Sequence, residues 1–244
     1  MQKLISVALD VPINKLFDYQ CDDKNAKAGA RVRVPFGNST RIGLIVQISQ
    51  AKVGGSKYQI KKIYELLDHF PILSAELLKT LRWAATYYHH PIGQVLFNAL
   101  SPVHRNGKAE PKSQYRNREL TEPTPLILND EQLKISNSIY KDIDKHQVNY
   151  LRGVTGSGKT EVYTHLAANI INNDGQVLIM VPEINLTPQT VTRFQKYLTT
   201  NPVEYHSNLT PAQKFRVWKT CKEDSKLIVI GTRSSIFLPF KNLK

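Results

Sequence analysis

The feature that most constrains the fold is an eight-residue loop that satisfies the pattern G-x-x-x-x-G-K-[ST] at every fixed position: Gly153, Val154, Thr155, Gly156, Ser157, Gly158, Lys159, Thr160. Its glycines let successive backbone N–H groups turn toward a phosphate, and a following helix directs its positive N-terminal end at the same place. Lys159 is predicted to reach the β- and γ-phosphates, and the Thr160 hydroxyl to bind Mg²⁺. A plain glycine-rich turn is the alternative, but the strand-loop-helix context favours a nucleotide site.

The residues around this loop predict alternating helices and strands. Ile135, Ile139 and Ile143 mark a helix before the loop, and Gly175 fits the C′ position of a helix that follows it. Further helices are expected at Thr160–Asn172, Thr187–Leu198 and Pro211–Lys222, and strands at Val148–Leu151, Val177–Val181 and Leu227–Ile230. The continuous apolar character of the last two strands is typical of strands buried on both faces. We therefore predict a parallel α/β sheet.

Gln132 lies at the start of the helix before the loop and permits two interpretations. A glutamine amide both donates and accepts hydrogen bonds, so it can read the adenine edge and favour ATP over GTP. The same residue also completes a capping box with Asn129, three residues earlier. The residues alone leave both interpretations open.

The first 64 residues predict a small β domain. Leu4–Leu9 is one strand, and Arg31–Val34 and Ile42–Val46 form a hairpin across the turn Pro35–Ser39. Ser74 is a plausible N-cap for a helix that ends near His90 and Pro91. One face of that helix carries Leu77, Leu81, Ala84, Ala85 and Tyr88.

Residues 101–128 contain four prolines and many charges, and we interpret them as a linker. The predicted organisation is thus a β-rich domain at 1–100, the linker at 101–128, and an α/β lobe at 129–244.

Composition favours a polyanionic partner. The chain has 33 Lys and Arg residues against 20 Asp and Glu, a formal net charge of +13 spread along its length. No apolar run approaches the length of a membrane span and no signal peptide is evident, so we expect a cytoplasmic protein without a membrane partner. Cys21 and Cys221 are too few for a disulfide framework or a zinc site.

Three segments follow predicted strands, at 182–189, 206–207 and 231–234. Open α/β sheets bind ligands on that side, and the hydroxyls and amides in these segments suit contacts to a nucleic-acid backbone. Ordinary turn and cap chemistry is the alternative.

Longer motifs carry a family resemblance. Gly153–Tyr163, Val181–Thr190 and Ile230–Phe240 in the second half, and Phe17–Tyr19, Arg31–Gly37 and Tyr87–Gly93 in the first, occur in this order over almost the whole chain. Together they resemble the primosomal protein N′ (PriA) family of replication-restart DNA helicases.

The resemblance implies a β-rich domain that binds the 3′ end of DNA, followed by a RecA-like helicase lobe. It further implies an ATP-dependent 3′→5′ DNA helicase that uses ATP and Mg²⁺ in replication restart and primosome assembly at stalled forks. The implied partners are DNA forks with a nascent 3′ end, single-stranded DNA, primosome proteins and single-strand-binding protein, with a nucleoid-associated location. Zinc is expected only in the family's carboxyl-terminal part.

Site residues follow from the same resemblance. It implies the adenine role for Gln132, and it implies DNA contacts at Thr187, Gln189, Thr232 and Arg233. The residues that match the family's 3′-end pocket are Phe17, Asp18, Tyr19, Gly37 and Lys61. An aromatic ring can stack on the terminal base, Asp18 can accept from the 3′-hydroxyl, and Lys61 can meet a phosphate. The alternative for Phe17 and Tyr19 is that they are core or turn aromatics.

The sequence departs from the family pattern in two ways. The family's winged-helix domain has no room within residues 101–128, and the sequence stops at Lys244, before the family's acidic Walker B box, zinc insertion, second motor lobe and arginine finger. We therefore expect the 244-residue chain to hydrolyse little ATP alone. A non-catalytic module that binds nucleotide and DNA ends is the alternative function.

Overall fold

The computed structural model describes residues 3–50, 60–107, 124–182 and 188–244. The chain divides into two units, Met1–Lys112 and Ser113–Lys244.

The first unit is built on a five-stranded antiparallel sheet in the order β2-β1-β4-β3-β5. Its strands are β1 (Lys3–Leu9), β2 (Phe17–Cys21), β3 (Arg31–Phe36), β4 (Ser39–Gln50) and β5 (Glu65–Leu66). The predicted hairpin is present as β3 and β4, which pair from Phe36 and Ser39 outward. Along β3, Val32 and Val34 are buried while Arg33 between them is partly exposed, as alternation requires.

Three helices accompany this sheet: α1 (Ala75–Tyr87), α2 (Ile92–Ala99) and α3 (Pro102–Arg105). Helix α2 lies so close to β1 that a Cβ at Gly93 would overlap the carbonyl oxygen of Leu9. Inward side chains of the sheet, among them Ile5, Val7 and Val32, form a buried cluster. Leu81 and Leu96 of the helices are also fully buried.

Helix α1 begins as predicted, since the Ser74 side chain accepts from the N–H of Leu77. Its predicted end and part of its apolar face were wrong. The helix ends at Tyr87 because His89 takes a left-handed φ of 50°. Tyr88 is therefore the C-cap and is 69% exposed, so it does not extend the buried face.

The interval predicted as a linker begins with folded chain. Ser101 caps the short helix α3, and His104 within it is fully buried. The backbone carbonyl of His104 accepts a hydrogen bond from Arg31 Nη1 at 2.9 Å, which ties α3 to the sheet. The start of this segment is therefore folded, because it has a buried side chain and a buried hydrogen bond, although its proline-rich and charged composition predicted a linker.

The second unit contains a parallel sheet in the order β6-β8-β7, as the α/β prediction requires. Its strands are β6 (Gln176–Met180), β7 (Val203–Tyr205) and β8 (Leu227–Gly231). Its helices are α4 (Asp130–Lys141), α5 (Lys159–Asn172), α6 (Pro188–Gln195) and α7 (Pro211–Glu223), with a 3₁₀ helix at Arg233–Phe237. Leu243 forms an isolated parallel bridge with Gln176 beside β6.

Several local predictions in this unit were wrong. Val148–Leu151 is not a strand: the segment pairs with no strand in the described part of the chain, and Val148 is 88% exposed. An apolar run becomes a strand only where a neighbouring strand supplies hydrogen-bond partners. Burial on both faces was predicted for the strands now called β6 and β8. It holds for the central strand β8, which is buried throughout, but not for the end of β6, where Met180 is 45% exposed.

The end of α5 also differs from the prediction. The left-handed residue after the helix is Asp174, with a φ of 58°, and not Gly175. Gly175 is needed for a different reason: a Cβ there would lie 2.5 Å from Ile170 Cγ2.

Candidate nucleotide and DNA sites

The glycine-rich loop runs directly into α5. Gly156 and Gly158 have φ values of 82° and 81°, a region that side-chain-bearing residues rarely adopt, and Gly158 is the N-cap residue. Gly158 has no side chain with which to cap the first turn of α5. The N-terminus of a helix is suited to bind an anion through its first N–H groups.

Lys159 is folded back over the loop. Its Nζ donates to the carbonyl oxygens of Gly153 at 2.7 Å and Val154 at 2.8 Å. Thr160, next to it in the first turn, is partly exposed. A mobile ammonium group and a hydroxyl at the N-terminus of a helix fit the triphosphate of ATP and its Mg²⁺ ion.

The capping-box interpretation of Gln132 is confirmed. Its backbone N–H donates to Asn129 Oδ1 at 2.8 Å, and its Oε1 accepts from the Asn129 N–H at 3.0 Å. The amide nitrogen of the same side chain lies 3.5 Å from the carbonyl oxygens of Ser157 and Gly158. Capping therefore brings the Gln132 amide to the edge of the phosphate loop, so the cap does not exclude a role at the nucleotide.

A buried contact holds α4 against α5. Ser136, one helical turn after Gln132, is fully buried, and its Oγ lies 2.8 Å from His165 Nδ1. This hydrogen bond connects the helix that carries Gln132 to the helix that begins at the phosphate loop.

The five residues predicted for the 3′-end pocket all line one cavity of about 450 Å³ in the first unit. They come from separate segments: β2 supplies Phe17, Asp18 and Tyr19, the β3–β4 turn supplies Gly37, and Lys61 precedes β5. The backbone carbonyl of Lys61 accepts from the N–H of Gln20 at 2.9 Å, which fixes the Lys61 segment beside β2. A cavity of this size is in the range of small-molecule sites.

The two aromatic residues predicted for the pocket differ in burial. Tyr19 is 4% exposed, belongs to the core, and donates through its hydroxyl to the Pro35 carbonyl at 3.0 Å. Phe17 is partly exposed and meets Phe36 edge to face, with ring centroids 5.1 Å apart. The core interpretation thus describes Tyr19, which shapes the wall, whereas Phe17 packs against the core only in part and keeps some of its ring exposed.

The polar residues of the pocket carry both signs of charge. Asp18 is exposed and contributes a carboxylate, while Lys15 and Lys61 contribute two exposed ammonium groups. Sequence reasoning missed Lys15 and Phe36. Both could have been proposed from their closeness in sequence to predicted pocket residues, since Lys15 is two residues from Phe17 and Phe36 is next to Gly37.

The ends of the parallel strands lie together. The N–H of Thr232 donates to the backbone carbonyl of Tyr205 at 3.1 Å, and the N–H of Val181 donates to the backbone carbonyl of Gly231 at 2.9 Å. Of the residues predicted to contact DNA here, Arg233 is exposed and Thr232 is 5% exposed. Gln189 belongs to α6, and Thr187 lies outside the described residues.

Comparison with known families agrees with both units. Residues 6–101 match the model of the PriA 3′ DNA-binding domain, and residues 125–244 match the model of the type III restriction enzyme res subunit. None of the helices in the described ranges is long and apolar enough to cross a membrane. Within those ranges there is also no group of three or more His, Cys, Asp or Glu residues suited to a metal ion.

Curated relatives match along nearly the full chain. The replication restart protein PriA of Haemophilus influenzae is 31% identical over 315 residues, covering 99% of this chain and 43% of the relative. PriA of Rickettsia conorii is 33% identical over 239 residues, covering 96% and 35%. PriA of Bacillus subtilis is 37% identical over 131 residues, covering 53% and 16%. The first alignment is longer than the 244-residue chain, so the Haemophilus relative contains residues without counterparts here, whereas the Rickettsia alignment shows no such excess.

The two units define an α/β protein in which a 3′-DNA-binding domain precedes a helicase-type domain. The chain belongs to the family of the replication restart protein PriA. It spans well under half the length of the relatives that match almost all of it.

Proposed function

We propose that this chain supplies the 3′-end-binding and nucleotide-binding parts of an ATP-dependent 3′→5′ DNA helicase, which acts in replication restart and primosome assembly at stalled forks. The observation that carries the proposal is the gathering of five residues from three separate segments around one cavity. The relatives' shared name supports the replication-restart role.

In the first unit, the pocket offers one group for each part of a 3′-terminal nucleotide. The ring of Phe17 stacks on the last base, and the Asp18 carboxylate accepts a hydrogen bond from the 3′-hydroxyl. Lys61 and Lys15, which both line the cavity, neutralise the adjoining phosphates. Tyr19 and Gly37 shape the cavity rather than contributing charge.

In the second unit, the loop from Gly153 to Gly158 and the N-terminus of α5 bind phosphates through backbone N–H groups. Lys159 leaves the carbonyls of Gly153 and Val154 and donates to the β- and γ-phosphates. The Thr160 hydroxyl ligates Mg²⁺, and Gln132 reads the adenine edge. ATP supplies the free energy for movement along DNA when its γ-phosphoryl group is transferred to water.

Turnover requires more than these residues. Phosphoryl transfer is accelerated by a carboxylate that holds Mg²⁺ and by an arginine worth roughly 10³–10⁵ in rate. Without such groups, the chain itself acts as a nucleotide- and DNA-binding module with little hydrolysis. Primosome proteins and single-strand-binding protein are the proposed protein partners, in the cytoplasm at the nucleoid.

The experiment that tests the 3′-end role compares two ligands that differ at one atom group. The 244-residue chain is titrated, at one fixed salt concentration, with a labelled single strand ending in 3′-hydroxyl and with the same strand ending in 3′-phosphate. Two like charges about 4 Å apart at an effective dielectric near 20 repel by roughly 4 kcal/mol before screening. A quarter of that repulsion predicts about fivefold tighter binding of the 3′-hydroxyl strand.

Asp18→Ala is the matched variant, because it removes the carboxylate and leaves the rest of the pocket. The ratio of the dissociation constants for the 3′-phosphate and 3′-hydroxyl strands should then fall toward one. Generic backbone binding predicts the reverse order of affinities, since an added phosphate gives the basic side chains one more anion to neutralise. Equal affinities, or tighter binding of the phosphorylated strand by the unmodified chain, would remove Asp18 from the proposed site.

A further inference from the structure

Asp18 is held by a residue that does not line the pocket. The Ser6 Oγ lies 2.7 Å from Asp18 Oδ1, and the two residues face each other directly in the antiparallel pairing of β1 with β2. An ionised carboxylate only accepts, so the Ser6 hydroxyl donates. The first unit therefore contains a serine–carboxylate pair at the edge of the cavity that Asp18 lines.

The hydrogen bond from Ser6 occupies one oxygen of the Asp18 carboxylate, Oδ1, and leaves the other, Oδ2, to accept from a ligand. In the described part of the first unit, no hydrogen bond reaches Asp18 Oδ2. An exposed aspartate without a partner samples several rotamers, and ordering it when a ligand binds costs conformational entropy. With Oδ1 fixed by Ser6, Oδ2 is the oxygen that can accept from a ligand hydroxyl.

The backbone fixes the direction of Ser6. Its neighbours Ile5 and Val7 are fully buried, so Ser6 must point to the opposite face of the sheet. The pairing of β1 with β4 shifts register between Ser6 and Val7, where Ser6 faces Gln47 and Val7 faces Ile45. The residue left without a partner there is Val46, so the irregularity lies in β4, and the direction of Ser6 follows from the alternation along β1.

We propose that Ser6 is a positioning residue of the 3′-end pocket, and that its hydroxyl sets how strongly the pocket prefers a 3′-hydroxyl to a 3′-phosphate. This inference rests on the proposed 3′-end function. Ser6 does not contact the DNA in this scheme. It acts through Asp18 by holding the carboxylate in the orientation that accepts from the terminal hydroxyl.

The test measures the ratio of the two dissociation constants, for 3′-phosphate over 3′-hydroxyl strands, in a set of variants of the 244-residue chain. Ser6→Ala removes the donor and should lower the ratio about threefold, the effect of one partly exposed hydrogen bond to a charged group. Ser6→Thr keeps the hydroxyl on a residue that strands accept readily and should preserve the ratio. Ser49→Ala is the control, because it removes an exposed hydroxyl of β4 that bonds to the Leu4 carbonyl and not to Asp18.

A purely structural role for Ser6 is separated by a double-mutant cycle. If Ser6 acts through Asp18, then Ser6→Ala should leave the ratio unchanged in an Asp18→Ala background. Should Ser6→Ala fail to fold, Ser6→Cys, which keeps the size and weakens the donor, should show the same lowered ratio.

The possible outcomes distinguish failure of the positioning role of Ser6 from failure of the proposed 3′-end function. Absence of any 3′-hydroxyl preference in the unmodified chain would overturn the proposed 3′-end function. A preference that persists undiminished in Ser6→Ala, or that falls equally in Ser49→Ala, would overturn the positioning role alone.

Discussion

The amide nitrogen of Gln132 lies 3.5 Å from the carbonyl oxygen of Gly158, and a Cβ added at Gly158 would overlap that same nitrogen. Gly158 is also the N-cap of α5 and has a left-handed φ of 81°. One glycine thus allows the phosphate loop, the start of α5 and the capped end of α4 to meet.

This contact predicts different costs for alanine at two similar glycines. Gly156→Ala introduces only left-handed strain, about 1–2 kcal/mol, because a Cβ there meets no atom within 4 Å. Gly158→Ala adds an overlap with the end of the Gln132 side chain, which must shift and strain its bond to the Asn129 N–H, so it should destabilise the second unit more. Urea unfolding can be followed through Trp218, in a Trp83→Phe background because the chain has two tryptophans. In a Gln132→Ala background, where the capping box and the colliding amide are both already lost, Gly158→Ala should cost no more than Gly156→Ala, and a larger cost would contradict the collision.

Nucleotide binding and 3′-end binding should be separable. Lys159→Ala removes the cation that reaches the phosphates and should abolish binding of a fluorescent ATP analogue, while the affinity for a 3′-hydroxyl strand stays nearly unchanged. Asp18→Ala should weaken binding of the 3′-hydroxyl strand and leave the affinity for the ATP analogue nearly unchanged. Anisotropy titrations of both ligands against both variants give the answer. Loss of both affinities in one variant with an unchanged unfolding profile would contradict two independent sites.

The sequence predicted most of the second unit because its signals are local and strong. The eight-residue loop and the apolar run Leu227–Ile230 specify a turn, a helix start and a central strand almost without context. Val148–Leu151 was misassigned because an apolar run does not reveal whether a partner strand exists. Residues 206–207 were placed at a strand end, but the strand itself, β7 at Val203–Tyr205, was given no bounds because three residues show no periodicity.

The pocket in the first unit was predictable only through family resemblance. Nothing in local sequence brings Lys61 to Phe17, because their proximity depends on the backbone hydrogen bond from the Gln20 N–H to the Lys61 carbonyl. Resemblance also could not separate Phe17 from Tyr19. The strand places both on one face, and only the packed core shows that Tyr19 is buried and already bonded to Pro35.

The buried ion pair of the first unit should matter more than its exposed neighbour. Arg31 binds Asp68 through two nitrogens, at 2.9 and 2.7 Å, and the side chains are 4% and 10% exposed. Arg31→Met leaves a buried carboxylate without its partner and should lower the free energy of unfolding by about 3–5 kcal/mol. Arg33→Ala breaks the exposed pair with Glu65 and should cost at most about 1 kcal/mol. Thermal unfolding of both variants compares them, and equal shifts would contradict the argument.

Both cysteines should be unreactive while the protein is folded. Cys21 and Cys221 are fully buried, and burial raises the pKa of both thiols. A raised pKa lowers the thiolate fraction at pH 8, and the thiolate is the nucleophile. Iodoacetamide should therefore give no adduct by mass spectrometry in buffer and two adducts in denaturant. Rapid single modification of the folded chain would show that one thiol is accessible.

The role of Lys61 can be tested against an adjacent lysine. Lys61 lines the 3′-end pocket, whereas Lys62 does not and pairs with Asp22 at 2.5 Å. Both substitutions to alanine remove one positive charge, so any effect of net charge alone is the same in both. If Lys61 meets a phosphate, Lys61→Ala should weaken binding of 3′-hydroxyl and 3′-phosphate strands alike, because the contact lies away from the terminal group. It should also reduce the slope of log affinity against log salt by about 0.7, the value for one phosphate contact to a single strand. Lys62→Ala should leave that slope unchanged, since its charge is already neutralised by Asp22. Titrations at four or more salt concentrations measure the slopes, and equal slopes for the two variants would place Lys61 outside the DNA-binding site.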